Sequence, residues 1–160
     1  MFGRSLIQLT APWVRRLARA YALRVDEHCV ALGQHPLIIE DPPAQARAHI
    51  PRTVMFNTRS GRIRVGTNTV FGEEVMVLTG KHLHCCDTAA AGFEHHHVLE
   101  SGRDITIGTG CYIGSRAILI GPLIVGDYAV VGAGAVVTHD VAPRTMVAGV
   151  PARVVRSMAP

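Results

Sequence analysis

The stretch that decides the fold is ITIGTGCYIGSRAILIGPLIVGDYAVVGAGAVVTHDV, residues 105–141. Stepping by six from Ile107 lands on Ile113, Leu119, Val125, Val131 and Val137, and the same step from Val65 lands on Phe71 and Val77. All nine are apolar in a chain that is 48% hydrophobic, a run that chance does not readily supply. The residue after each adds a second layer: Gly66, Gly72, Leu78; Gly108, Gly114, Ile120; Gly126, Gly132, Thr138. Glycine, glycine, non-glycine is a period of eighteen laid over the period of six. Two residues before most of the apolar positions sits something small or apolar: Thr69, Val75, Cys111, Ala117, Leu123, Ala129 and Ala135.

A helix cannot use a period of six, and a two-faced strand alternates by two. Three short strands per turn of a parallel β-helix fit the pattern, with stacked turns burying one continuous core. The recurring glycines are expected at the corners, where the backbone bends and φ can turn positive.

At 160 residues the chain is long enough for one domain with a real core. A net charge of +4 admits a phosphorylated ligand, an anionic membrane surface or nucleic acid and selects none of them. Cys29, Cys85, Cys86 and Cys111 are too few for a disulfide scaffold and read as free thiols in a reducing compartment. No apolar run approaches the ~18 residues of a membrane span. The N-terminus lacks a signal-peptide pattern, so the expected location is cytoplasmic.

Residues 1–49 stand apart from the repeat region at 50–160. RSLIQLTAPWVRRLARAYALRV (4–25) sets Leu6, Leu9, Trp13, Leu17 and Tyr21 at mixed helical spacing among arginines. It reads as a helix, interrupted near Pro12, that packs on the coil or on a neighbouring subunit. The alternative is an amphipathic helix touching anionic lipid. EDPPAQARAHIPRT (40–53) reads as an extended connection, because Pro42, Pro43 and Pro51 disfavour helix.

The repeat breaks at LTGKHLHCC (78–86) and resumes after a loop of about residues 83–104. Insertions of this kind collect on one face of a solenoid, often the binding face. His82, His84, Cys85, Cys86 and His95, His96, His97 offer metal ligands. Zinc sites, however, separate paired ligands by about two to four residues, which adjacent cysteines and a run of three histidines do not match. No metal is expected. Cys111 falls on the small inward position and reads as core. Ser115 lies in repeat, not in the sharp turn a serine nucleophile requires. GAG (132–134) lacks the third glycine and the following helix of a dinucleotide fingerprint.

The segment from Ile105 to Arg156, ending VVGAGAVVTHDVAPRTMVAGVPARVVR, resembles the hexapeptide-repeat acyltransferases, and the resemblance covers roughly residues 50–156. The branch is that of the galactoside and maltose acetyltransferases and the O-acetyltransferases of surface-polysaccharide pathways. The resemblance implies a left-handed β-helix and a homotrimer with active sites in the clefts between subunits. Matching LTGKH to the family makes His82 the general base. An imidazole with a pKa near ~6.5 suits proton removal from an attacking hydroxyl. His84 and Cys85, close by in sequence, are candidates for the acceptor pocket.

The same resemblance assigns a groove for acetyl-CoA. YIGS supplies Tyr112, where most relatives carry tryptophan, and Ser115. GAGAVVT supplies Ala133 and Thr138. His139 stands where the family often has lysine. PARVVR brings Arg153 and Arg156 to the coenzyme's phosphates, which guanidinium pairs through two parallel donors. The implied activity is transfer of an acyl group, acetyl by family, to a hydroxyl or amine, with a sugar or sugar-linked intermediate as acceptor and nucleic acid excluded as a partner. The alternatives are a serine-type acetyltransferase on the same scaffold, a metal-dependent protein like the γ-class carbonic anhydrases, and a non-catalytic scaffold.

Overall fold

The computed structural model describes residues 23–25, 30–82 and 97–158. Of the helix expected over residues 4–25, with its lipid-contact alternative, residues 4–22 lie outside the described residues; the last three, Leu23–Val25, are not helical but form a β-strand that pairs antiparallel with Val30–Leu32.

The chain winds as a left-handed parallel β-helix whose three flat faces are its three sheets. The first face stacks β2 (Val30–Leu32), β4 (Met55–Asn57), β7 (Met76–Leu78), β10 (Ile118–Ile120) and β13 (Val136–Val137). The second stacks β3 (Leu37–Ile39), β5 (Ile63–Val65), β8 (Ile105–Ile107) and β11 (Leu123–Val125). The third stacks β6 (Val70–Phe71), β9 (Tyr112–Ile113), β12 (Val130–Val131), β14 (Thr145–Ala148) and β15 (Arg153–Ser157). Pairing within the coil is parallel and in the register the period requires, for example Val77 beside Leu119 and Leu119 beside Val137. Two antiparallel strands close the ends: β1 (Leu23–Val25) folds onto β2, and β15 folds back onto β14. The parallel ladders begin ahead of residue 50, with β2 on β4 and β3 on β5.

All nine apolar residues of the six-step series are buried, and so are the seven small or apolar residues two places before them. All of them but Thr69 belong to one continuous apolar cluster along the axis, where Phe56 and Phe71 meet edge to face at 5.8 Å.

Two expectations are corrected. The recurring glycines are not the positive-φ residues. In the corner turns beyond them the positive-φ residues are Asn68, Glu74, Gly110, Arg116, Tyr128, Gly134 and Arg144, with Gly33, Gly102 and Gly149 elsewhere. Glycine is needed at the repeat position because the next coil leaves no room. A Cβ on Gly114 would lie 2.5 Å from the Ala133 nitrogen, and one on Gly66 2.7 Å from the Gly108 carbonyl carbon.

The second correction concerns residues 40–53. They contain a helix, α1 (Pro43–His49), which takes the place of a third-face strand in the first turn of the coil. Proline is compatible with a helix's first turn, where its missing N–H has no intrahelical partner. Pro42 and Pro43 therefore start α1, and Ile50 in extended geometry ends it before Pro51. Asp41 fixes α1 to the coil: one carboxylate oxygen accepts the Asn68 N–H at 2.9 Å and the other pairs with His49 at 3.2 Å.

Candidate active site

The edge where the first face turns into the second carries His82 and the Thr138–His139 pair. Strands β4, β7, β10 and β13 lead in turn to four corners along this edge. After β10 the connection is short, Gly121–Pro122, and after β13 it is Thr138–Asp140. After β7 the coil opens instead. Thr79, Gly80, Lys81 and His82 run outward, and the chain re-enters through residues 97–104 to begin β8. His82 is exposed and forms an antiparallel bridge with Val98, while the Leu99 N–H donates to the Lys81 carbonyl at 3.2 Å. These contacts make a narrow neck below the loop. With strands about 4.8 Å apart, the His82 corner lies two strand spacings, ~10 Å, from the Thr138 corner.

Thr138, His139 and Arg153 are brought together. With Val137, Asp140, Val141, Val147, Ala152 and Val154 they line a groove of about 360 Å³ at the C-terminal end of the coil, under the fold-back of β15. The Thr138 hydroxyl and the His139 Nδ1 are 2.9 Å apart, and an Arg153 Nη1 donates to the Ala152 carbonyl at 2.9 Å. Arg156 is exposed and stands one strand from Met146, in the row that continues through Val130 to Tyr112 on the third face. Tyr112 is itself half-exposed and points outward.

Ser115 and Ala133 stack on successive corners between the third face and the first, the Gly134 N–H donating to the Ser115 carbonyl at 2.9 Å. The Ser115 hydroxyl accepts the Glu73 N–H at 3.2 Å, so it also ties one coil to the next. Cys111 is buried, and burial pushes its thiol above its ordinary pKa despite hydrogen bonds that oppose the shift. It is core, as its repeat position predicts.

His84 and Cys85, the expected acceptor-pocket residues, lie outside the described residues, as do Cys86, His95 and His96. Among the described residues no group of three or more His, Cys, Asp or Glu could hold a metal ion.

Sequence reading missed Arg103. Its partly buried guanidinium donates from Nε to the Thr79 carbonyl at 2.8 Å, across the mouth of the loop. Burial lowers its pKa, though arginine stays charged at any physiological pH. The available signal was position: Arg103 and Asp104 directly precede the strand at which the six-step series resumes.

A family model for the bacterial transferase hexapeptide (six repeats) matches residues 104–139. Galactoside O-acetyltransferase of Escherichia coli K12 is 40% identical over 143 residues, covering 84% of this chain and 66% of the relative. The chain is similar to the hexapeptide-repeat transferases, whose repeat it carries at residues 104–139. It spans just under two thirds of that relative's length. A maltose O-acetyltransferase from Clostridium difficile 630 shares the fold at a TM-score of 0.59 and 19% identity, over 97% of this chain and 89% of that one. A hexapeptide-repeat-containing acetyltransferase of Vibrio cholerae, solved with acetyl coenzyme A, aligns at 0.54 and 22% identity, over 81% and 69%.

Proposed function

We propose that this protein is a coenzyme A-dependent acetyltransferase. It moves acetyl from acetyl-CoA to a hydroxyl of a sugar or sugar-linked acceptor in surface-polysaccharide synthesis, as a cytoplasmic homotrimer with His82 as general base. The groove at the end of the coil carries this reading. It offers a hydroxyl (Thr138), an imidazole (His139) and a guanidinium (Arg153) along one apolar-walled channel, with Arg156 on the same fold-back strand. Those groups suit a ligand with amides along a flexible arm and phosphates at one end. The O-acetyltransferase activity named for the galactoside relative supports the acyl group and the sugar class of acceptor. Exposed Tyr112, Ile124, Tyr128, Val154 and Val155 support burial against further copies of the chain.

In this mechanism His82 accepts the acceptor's hydroxyl proton as its oxygen bonds to the thioester carbonyl carbon. The C–S bond then breaks, and the proton passes to the departing thiolate. No cysteine nucleophile and no covalent enzyme intermediate are required. Ser115 or a backbone amide is the donor to the developing oxyanion. Losing one such donor typically raises the barrier by ~2.7–4 kcal/mol.

Thermal unfolding with and without acetyl-CoA tests the donor assignment. Ligand at about a hundred times its dissociation constant adds ~2.7 kcal/mol to the folded state, a rise of roughly 5–10 °C for a chain of this size. The rise should shrink in the Arg153→Ala, Arg156→Ala double variant and persist in His82→Ala. No shift at millimolar acetyl-CoA would overturn the proposal.

A further inference from the structure

We propose that Arg103 is a positioning residue, which fixes the direction in which His82 leaves the coil. The inference rests on the reading of His82 as the base. Thr79 begins the outgoing limb of the loop, and the coil already uses its other polar groups. Its N–H donates to the Asn57 carbonyl at 3.0 Å. Its hydroxyl donates to the same carbonyl at 2.7 Å and accepts the Ser60 N–H at 3.1 Å. The Thr79 carbonyl points across the loop mouth, and Arg103 takes it.

The base from which Arg103 reaches is rigid. Its own N–H donates to the Ser60 carbonyl at 3.1 Å. Its backbone is wedged between glycines of the coils on either side. A Cβ on Gly61 would come within 2.5 Å of the Arg103 carbonyl carbon, and one on Gly121 within 2.6 Å of its oxygen. The next residue is anchored too, since Asp104 accepts the Arg62 N–H at 2.9 Å and pairs with the Arg62 guanidinium at 2.8 Å. The returning limb is therefore fixed, and among the described residues the outgoing limb is tied to it in two places. One is the His82–Val98 bridge with its Leu99-to-Lys81 bond, where Lys81 and His82 are exposed and water competes. The other, from Arg103 to Thr79, is part-buried and charge-assisted, so it holds more strongly.

The neighbouring corner is built differently: between β10 and β11 the chain turns directly through Gly121–Pro122. Arg103 thus serves the one described corner that carries an inserted loop, three residues before His82.

The test compares Arg103→Met and Arg103→Lys in the full chain. The first readout needs no turnover. The Leu99 amide should exchange with solvent at least about tenfold faster in Arg103→Met, while core amides such as Val131 keep their protection. The second is acetyl transfer from acetyl-CoA to methyl β-galactoside as probe acceptor. Arg103→Met should lower kcat by ~100-fold, the effect expected of a misplacement of about 1 Å, with coenzyme A affinity held within about twofold. Arg103→Lys, which can still donate to the Thr79 carbonyl, should recover most of both effects. In a His82→Ala background Arg103→Met should cost nothing further, because the group it positions is gone. Unchanged Leu99 exchange, an unchanged kcat in Arg103→Met, or a loss that multiplies with that of His82→Ala would overturn the proposal. An unaffected His82→Ala enzyme would instead remove the base reading on which it stands.

Discussion

Replacing Gly114 and Gly134 separately by alanine asks why this coil is rich in glycine. Gly114 has an ordinary φ, but a Cβ there would lie 2.5 Å from the Ala133 nitrogen, 2.8 Å from the Gly132 carbonyl carbon and 2.9 Å from the Ala133 Cα. All three atoms are main chain of the next coil, so no side chain can turn aside. The coils must part by several tenths of an ångström, which stretches the 2.8 Å bond from the Gly114 N–H to the Val131 carbonyl. Overpacking of this kind costs ~1–3 kcal/mol, and rigid neighbours put Gly114→Ala near ~3.

Gly134 is the opposite case, with φ at +67° and nothing within 4 Å of its Cβ position. Alanine there meets only the left-handed backbone penalty of ~1–2 kcal/mol, partly offset by a less flexible unfolded chain. At ~2–4 °C per kcal/mol for this size, Gly114→Ala should lower Tm by roughly 6–12 °C and Gly134→Ala by roughly 2–5 °C. Circular dichroism melts at one fixed protein concentration give the comparison, since an oligomer's Tm depends on concentration. An equal or greater loss in Gly134→Ala would refute the argument that interlayer contact, not backbone conformation, selects the repeat glycines.

Two further outcomes follow from the core. Leu119 is fully buried midway along the axis, so Leu119→Ala should cost ~2–5 kcal/mol by urea denaturation, with no change in the left-handed coil's far-ultraviolet spectrum below the transition. The raised Cys111 pKa means that the folded state holds the thiol proton more tightly than the unfolded state. Stability from this group is therefore complete below the unfolded thiol pKa of ~8.5 and is lost as pH rises through the folded value. Urea midpoints measured between about pH 8 and 10 should fall with pH more steeply in wild type than in Cys111→Ala.

The coil was legible because its period belongs to one dimension of the chain. Each Val131 or Leu119 repeats the environment of the residue eighteen positions away, so burial alternates on schedule and a single sequence displays it. The handedness is not encoded in which positions are apolar, and the resemblance supplied it. Helix α1 is hard to read from Pro42 and Pro43 because proline breaks a helix interior yet is accepted in a first turn, and the pairing of Asp41 with Asn68 and His49 that holds it is a tertiary contact. The groove residues Thr138, His139 and Arg153 were nameable from motifs, but their meeting depends on β15 doubling back, a fold-back that no period predicts. Arg103 stayed hidden because its role is a bond to a backbone carbonyl, and carbonyls leave no trace in a sequence.

The central claim is that His82 removes a proton during acetyl transfer and does not bind the donor. The direct measurement is acetyl transfer from acetyl-CoA to methyl β-galactoside, maltose and free serine by wild type and His82→Ala, with the acetyl-CoA dissociation constant measured on both proteins. A sugar is expected to be acetylated, with kcat lower by ~10²–10⁴-fold in His82→Ala and donor affinity unchanged. Equal turnover by the two proteins, or loss of acetyl-CoA binding in His82→Ala, would contradict the account.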